Sequence, residues 1–233
     1  MSAVFYKEFN HYFTSIIGYM YLSIQLLICG LLFTSGNLLT QNGDVKSFFS
    51  SVFTVLVFLV PLLTMRQFSE EKKMRTHQLL FTLPIPTEAI VLGKYLATLA
   101  VAGIGLAATL VFPLILAVLG TFEPLVTAGN YLGIALLLAA VAAIGLFLSS
   151  LSENQVVSAI VSYAVILFLW LMDSIAPLVL DDFLKRILST FSLRSNYIEF
   201  TYGIFNPASI LFYLFVSVLF LLFTVAVLDG RRQ

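Results

Sequence analysis

The chain has 233 residues, of which 60% are hydrophobic and only 10% charged, and its mean hydropathy is +1.03. Since soluble domains contain about 25% charged residues, this composition excludes a soluble globular protein and indicates a polytopic membrane protein. Twelve Lys and Arg balance twelve Asp and Glu, so net charge gives no reason to expect a nucleic-acid partner.

Residues 3–14 precede the first apolar run and alternate aromatic with charged or polar side chains. Phe5 and Phe9 are interleaved with Lys7, Glu8 and His11, a pattern typical of a helix lying in the membrane interface. A cleaved signal peptide is the alternative, but it is disfavoured because only Lys7 precedes the apolar run and no small-residue cleavage site follows it. We therefore expect an N-terminal interfacial helix.

Six apolar stretches approach or exceed the roughly 20 residues that a spanning helix needs. They are residues 16–34, 48–65, 89–119, 131–151, 156–178 and 208–228. An even number of spans places both termini on the same side of the membrane. The sequence therefore predicts an all-α membrane protein with six transmembrane helices.

Positively charged residues are unevenly divided between the two sides that this topology defines. One side has Lys7, Arg66, Lys72, Lys73, Arg75, Lys94, Arg231 and Arg232, and the other has Lys46, Lys185, Arg186 and Arg194. Since cytosolic loops of membrane proteins are enriched in Lys and Arg, we expect both termini in the cytosol.

The segment 66–88, between the second and third spans, is the most densely charged part of the chain. Ser69 is a candidate N-cap, and Glu70 and Glu71 precede Lys72 and Lys73, an order that suits the helix dipole. Pro84 ends the apolar stretch that follows. We expect a short cytosolic helix along the membrane surface, and the alternative is a solvated loop without a partner.

Two features of the fourth span and the turn after it allow two interpretations each. Ala135, Ala139 and Ala143 are spaced by four residues, which suits either ordinary helix packing or a dimer face. The turn containing Glu153 and Asn154 is either a second contact for a cytosolic partner or merely a polar turn.

Residues 180–206, between the fifth and sixth spans, are predicted to form a hairpin of short helices on the outer side. The first has an apolar face with Phe183, Ile187 and Phe191, opposite charged residues, and the second includes Tyr197. These four residues are candidates for an outer gate over an exit path, although the same segment could simply anchor a long loop. Asp173 follows Trp170 closely, which indicates a position at the membrane interface. The alternative is a functional acid within the membrane.

The sequence contains none of the motifs that would indicate an enzyme. Gly93-Lys94 is followed by Tyr95, so it does not complete a phosphate-binding loop, and no catalytic triad, zinc-protease motif or cysteine pair is present. His11 and His77 lack the neighbours of a metal site. We expect no catalytic, cofactor-binding or metal-binding residue, and the spans lack the several buried acids of a typical ion-coupled carrier.

The charged segment resembles the one between the second and third spans of ABC-2-type transporter permeases. There an acidic pair is followed by a Thr, a Leu pair, a Pro and Gly-Lys, which here are Glu70-Glu71, Thr76, Leu79-Leu80, Pro84 and Gly93-Lys94. The turn 149–155 and residues 196–213 are similar to the gliding-motility-associated branch, close to the permease of the nitrous oxide reductase maturation exporter. Arg75 and Gln78 depart from the family pattern.

The resemblance implies a permease subunit in the bacterial cytoplasmic (inner) membrane that exports a substrate with energy from two separate ATPase subunits. ATP and Mg would bind to those partners and not to this chain, and the membrane part would include a second permease copy or a homologous permease. Glu70, Glu71, Lys72, Lys73, Thr76 and Leu80 would form the coupling helix that contacts the ATPase. A periplasmic accessory subunit is a further candidate partner.

Two functions from other classes remain open at this point. A membrane scaffold of an envelope or motility complex would have no substrate and would not stimulate ATP hydrolysis. An ion-coupled carrier would depend on Asp173, the only serious intramembrane acid.

Overall fold

The computed structural model of the protein describes residues 1–41, 43–74, 86–118, 123–179 and 181–230, and the regular elements of this part are all helical. Its α-helices are α1 (Ser2–Thr14), α2 (Ile16–Phe33), α3 (Val45–Thr64), α4 (Ser69–Lys73), α5 (Thr87–Ala108), α6 (Val111–Val118), α7 (Pro124–Leu151), α8 (Gln155–Ile175), α9 (Asp182–Phe191), α10 (Leu193–Thr201) and α11 (Pro207–Asp229). A π-helical turn, Thr34–Leu38, extends α2, and a 3-10 turn, Ala176–Leu178, extends α8.

Six helical segments of the described chain are long and apolar enough to cross a membrane. They are Ile16–Leu38, Val45–Lys73, Thr87–Val118, Pro124–Leu151, Gln155–Leu178 and Pro207–Asp229. The prediction of an all-helical protein with six spans is confirmed, and the chain is a multi-pass membrane protein.

Helix α7 is the centre of the bundle. Its most apolar part is 72% buried, more than in any other span of the described chain, and it packs against α3, α5, α8, α10 and α11. Close approach depends on glycine: a Cβ atom on Gly133 would lie 2.9 Å from Cβ of Phe200 on α10, and one on Gly129 would lie 2.8 Å from the Phe200 carbonyl oxygen. Of the alanines that we singled out, Ala135 is exposed and only Ala143 is fully buried.

The third span is divided into α5 and α6 by a break at residues 109–110. Pro113 explains the break, because a proline ring clashes with the carbonyl four residues earlier, which here belongs to Thr109. The Thr109 hydroxyl bonds the Leu106 carbonyl oxygen at 2.6 Å and lies 3.1 Å from the Tyr131 hydroxyl of α7. In contrast, α3 continues past its own proline, Pro61, to Thr64.

Helices α9 and α10 lie at the end of the bundle where α7 begins. Asp181 caps α9 by accepting from the Phe183 amide at 2.9 Å, and Ser192 caps α10 by accepting from the Ser195 amide at 3.2 Å. Helix α4 lies at the other end, beside the last turn of α7, where Ser149 contacts it. The two groups of short helices are therefore at opposite ends of the central span.

Candidate functional site

A buried lysine, Lys94, is the centre of a polar cluster that joins α1, α4 and α5. Its side chain is only 1% exposed, and Nζ lies 2.8 Å from Oε1 of Glu71 on α4 and 3.1 Å from Oε1 of Glu8 on α1. Nζ also donates to the Gln67 carbonyl oxygen at 2.9 Å. Because a buried charge is tolerated only when it is paired and hydrogen-bonded, these contacts fix the three helices relative to one another.

Helix α1 adds a second charge and a close helix contact to this cluster. Lys7 Nζ lies 3.4 Å from Oε1 of Glu8 and 3.6 Å from Oε1 of Glu71, with most of its side chain exposed. Behind the charges, α1 lies so close to α5 that a Cβ on Gly93 would be 2.8 Å from Cγ1 of Val4. A side chain at position 93 would therefore push α1 away from Lys94.

The two lysines also determine the protonation of Glu8. Burial alone would raise the pKa of this carboxyl group, but the positive charges and hydrogen bonds of Lys94 and Lys7 outweigh burial, so that the pKa lies below its ordinary value of 4.5. Glu8 is therefore ionised at neutral pH, as its pairing with Lys94 requires.

A neutral hydrogen-bonded group adjoins the charges, deeper in the bundle. Gln67 Nε2 donates to the Tyr12 hydroxyl at 2.5 Å and to Thr98 Oγ1 at 2.8 Å, and the Tyr12 hydroxyl donates to the Leu63 carbonyl oxygen at 3.1 Å. Burial raises the pKa of Tyr12 to about 12, so this hydroxyl keeps its proton. The group links α1 to the end of α3 and to α5.

Helix α4 is also bonded to the last turn of α7. Ser149 Oγ accepts from the backbone amides of Phe68 and Ser69 at 3.1 and 3.2 Å and donates to the Met65 carbonyl oxygen at 3.0 Å. The buried Lys72 donates through Nζ to the Ser150 carbonyl oxygen. The N-terminus of α4 is thus satisfied by a serine of another span rather than by its own N-cap side chain.

The surface that α1 and α4 leave exposed surrounds a cavity of about 270 Å³. Lys7, His11, Arg66, Glu70 and Met74 are among its lining residues. Arg66 and Glu70 form a bidentate ion pair with both distances at 2.9 Å. Lys73 and Met74 are exposed at the end of α4, so this face can receive another protein without disturbing the buried pairs.

The residues that we predicted for the coupling helix differ in their contacts and exposure. Glu71 and Lys72 are engaged with other helices of this chain, Glu70 is paired with Arg66, and Lys73 is exposed. Thr76 and Leu80 lie outside the described residues.

The other predicted cytosolic contact lies at the same end of the molecule. Glu153 and Asn154 are exposed in the turn between α7 and α8, directly after the serines that hold α4. Asn154 Oδ1 caps α8 by accepting from the Val156 amide at 2.9 Å. Asn154 therefore has a local structural role, whereas Glu153 is available at the surface.

The four residues proposed for an outer gate do not form one set. Phe183, Ile187 and Phe191 are exposed on α9, whereas Tyr197 on α10 is buried. The Tyr197 hydroxyl bonds Asn130 Oδ1 of α7 at 2.8 Å, and its ring stacks on Phe53 at 4.6 Å. Tyr197 thus fixes α10 to the bundle, whereas the three α9 residues are exposed.

Sequence reasoning missed several residues of the polar cluster, notably Glu8, Tyr12, Gln67 and Thr98. A signal was available, because Lys94 lies inside an apolar stretch and a buried lysine needs acidic partners. Glu8 and Glu71 are the acids at the same end of the spans that could reach it. Within the described residues, no group of three or more His, Cys, Asp or Glu side chains could hold a metal ion.

A helical bundle with six apolar spans defines an integral membrane protein. At one end of this bundle, ion pairs connect the short helices α1 and α4 to the span that begins with α5. The model of the family described as ABC-2 family transporter protein matches residues 14–226. The chain belongs to this family and is a permease subunit of an ABC transporter, a class that generally works with an ABC ATPase subunit and dimerises. The comparison with curated proteins gives no match.

Proposed function

We propose that this chain forms half of the membrane part of an ABC exporter and that a separate ATPase subunit docks on the exposed face of α4 and α1. The observation that supports this proposal is the bonding of α4 to three other elements: to α5 through the Glu71–Lys94 pair, to α1 through the Lys7–Glu71 pair and to α7 through Ser149. A helix that transmits motion must be linked in this way to the elements that move.

The proposed mechanism is mechanical. ATP and Mg would bind to two ATPase subunits and close them, and the closure would displace α4. Because Lys94 and Ser149 belong to different spans, the displacement would reach α5 and α7 together. A partner shifts such an equilibrium only by its different affinity for the two states, and ATP on the partner supplies that difference.

The proposed orientation places α4 and both chain termini in the cytosol. Of the lysines and arginines that the structure describes, Lys7, Arg66, Lys72, Lys73 and Lys94 are at the α4 end. Arg75, Arg231 and Arg232 lie outside the described residues, and the sequence topology predicts them on the same side. Lys46, Lys185, Arg186 and Arg194 are on the other side, where Lys46 lies 4.9 Å from the Tyr202 ring. The excess at the α4 end agrees with the positive-inside rule.

The remaining parts of the proposal rest on the family. They are export as the direction of transport, location in a bacterial inner membrane, a second permease copy or a homologous permease, and a periplasmic accessory subunit. Membership of the gliding-motility-associated or nitrous-oxide-maturation branch is likewise an expectation from residues 149–155 and 196–213.

Purification from the native membrane tests the proposal. The tagged protein is isolated in mild detergent, and ATP hydrolysis is assayed for wild type, for Lys73→Glu on the exposed face of α4, and for Lys185→Glu on α9 as the charge-matched control. We expect an ATPase to co-purify with wild type and with Lys185→Glu and to be lost with Lys73→Glu. Absence of any ATPase from the wild-type preparation would instead favour a scaffold without a substrate.

A further inference from the structure

Two polar side chains of the first span are buried without a hydrogen-bond partner in the described part of the chain. The unpaired atoms are the Tyr21 hydroxyl and both polar atoms of the Gln25 amide. Tyr21 is 4% exposed and Gln25 is fully buried. The two residues are four apart, so they share one face of α2. Since both atoms of the amide are unpaired, its orientation does not affect this observation.

The Gln25 amide lies against α5 at a glycine. A Cβ atom on Gly105 would be 2.8 Å from Cδ of Gln25, so the amide rests directly on the α5 backbone. Val101 and Ala102, about one turn earlier in α5, are fully buried and apolar, so they offer no side-chain partner. Gln25 is about 14 Å from the start of α2, well inside a hydrocarbon core that is about 30 Å thick. An unpaired amide at this depth is costly.

The cavity beside α1 and α4 reaches the start of α2, close to Tyr21. Tyr12 and Ile17 line this cavity, and Ile17 precedes Tyr21 by four residues, or about 6 Å of helix. Gln67 also lines the cavity. Its Nε2 is engaged in hydrogen bonds, and its Oε1 is a further buried acceptor without a partner among the described residues. Unpaired polar atoms therefore extend from the cavity to Gln25.

We infer that the contact between α2 and α5 is a binding site for water, which enters from the cavity and bridges the Tyr21 hydroxyl and the Gln25 amide. Water fits because it both donates and accepts hydrogen bonds and can therefore satisfy a hydroxyl and an amide together. A larger solute has no opening to the fully buried Gln25. Immobilising a water molecule also costs less than leaving a buried donor and acceptor unpaired. The aqueous region at the α4 end thus extends into the bundle as far as Gln25.

Hydroxyl-radical labelling of the full-length wild-type protein tests this inference. The protein in lipid nanodiscs receives a short X-ray pulse that forms radicals from water, including bound water, and mass spectrometry measures the modification of each tyrosine. Tyr197 and Tyr213 are matched controls, because they are 2% and 0% exposed and their hydroxyls are bonded to Asn130 Oδ1 and to the Leu193 carbonyl oxygen. We expect Tyr21 to be modified several-fold faster than either control. Equal protection of the three tyrosines would overturn the inference.

A variant of Gln25 tests the bridge itself. Gln25→Leu removes both polar atoms of the amide, so the bound water loses partners and the modification rate of Tyr21 should fall to that of the controls. Ser23→Ala changes an exposed residue of the same helix and should leave the rate unchanged. An unchanged rate in folded Gln25→Leu protein would also contradict the inference, and if this variant does not fold, the wild-type comparison decides. The assay needs no ATPase, so its outcome is independent of the proposed function.

Discussion

Helices α4 and α9 are both short, lie outside the spans at opposite ends of α7, and are held in different ways. Helix α4 has Glu71 paired with Lys94, Lys72 bonded to Ser150, and its first amides bonded to Ser149. Helix α9 leaves Phe183 and Ile187 exposed and packs against α8 and α10. Its Phe191 ring contacts the Phe212 ring, and the Asn196 side-chain amide donates to the Thr190 carbonyl oxygen at 2.9 Å.

The difference shows how one membrane protein can have a short helix that transmits motion to its spans and another that adjusts its position at the membrane surface. Directional ion pairs and hydrogen bonds specify one position for α4, so that a push on it must move other spans. Apolar contacts are non-directional, so α9 can shift along the membrane surface at small cost. The predictions below test whether the two ends depend on these different forces.

Replacement of Lys94 by Met should have the largest effect. It leaves the carboxylates of Glu8 and Glu71 with only the largely exposed Lys7 as a partner, and breaking a buried pair in this way costs about 3–5 kcal/mol. We expect a clearly lower unfolding temperature in detergent and exposure of α1 to protease. Lys185→Met on α9 is the matched control and should unfold like wild type; equal effects of the two variants would refute the distinction between the ends.

Gly93→Ala should be the next most damaging change. The new Cβ would lie 2.8 Å from Cγ1 of Val4 and 3.3 Å from the Phe5 amide nitrogen, and overpacking of this kind costs about 1–3 kcal/mol. Gly103→Ala on the same helix has no atom within 4 Å of the added Cβ and should be neutral or slightly stabilising, because alanine favours helix. Thermal unfolding of both variants measures the difference.

Ser149→Ala should have a similar or slightly smaller effect. It removes the acceptor for two amides at the start of α4, and an unsatisfied buried donor costs about 1–3 kcal/mol. If α4 transmits motion to α7, ATPase activity in the purified complex should also become less dependent on the permease. Ser174→Ala, at an exposed position of α8, is the control; unchanged stability in both variants would show that the Ser149 bonds do not hold α4.

The pH dependence of stability should give the smallest effect. The pKa of Glu8 is lower in the folded protein than its ordinary value of 4.5, so its contribution is fully present above pH 4.5 and is lost as pH falls through the folded pKa. Thermal unfolding followed downward from about pH 6 should therefore show a decline below pH 4.5 that Glu8→Gln reduces. An identical decline in the variant would exclude Glu8 as its source.

The sequence was sufficient to predict the spans, because burial in lipid requires long apolar helices and allows few alternatives. It did not predict which proline would interrupt a helix: Pro61 lies inside α3, whereas the break occurs before Pro113. The break is accompanied by tertiary contacts, such as that of the Tyr131 hydroxyl with the Thr109 hydroxyl, and these cannot be identified from local sequence.

The candidate site shows the same limit. The charge order of residues 70–73 predicted a short helix, and α4 is present there. Which charges face inward was not predictable, because Glu71 and Lys72 are adjacent to Glu70 and Lys73 in sequence and differ only in what α5 and α7 bring to them. Gly93-Lys94 was recognised only as a motif, and the structure gives its physical reason: glycine admits α1 and lysine binds it.

The most direct test of the docking face is site-specific crosslinking of Met74 to the ATPase. Met74 is 67% exposed at the end of α4, and Phe183 is 70% exposed on α9, so the two positions are matched in accessibility. In a Cys29→Ser background, a photoactivatable crosslinker on Met74→Cys should produce an adduct with the ATPase in native membranes, and one on Phe183→Cys should not. Absence of the adduct at Met74, or equal adducts at both positions, would contradict docking at α4.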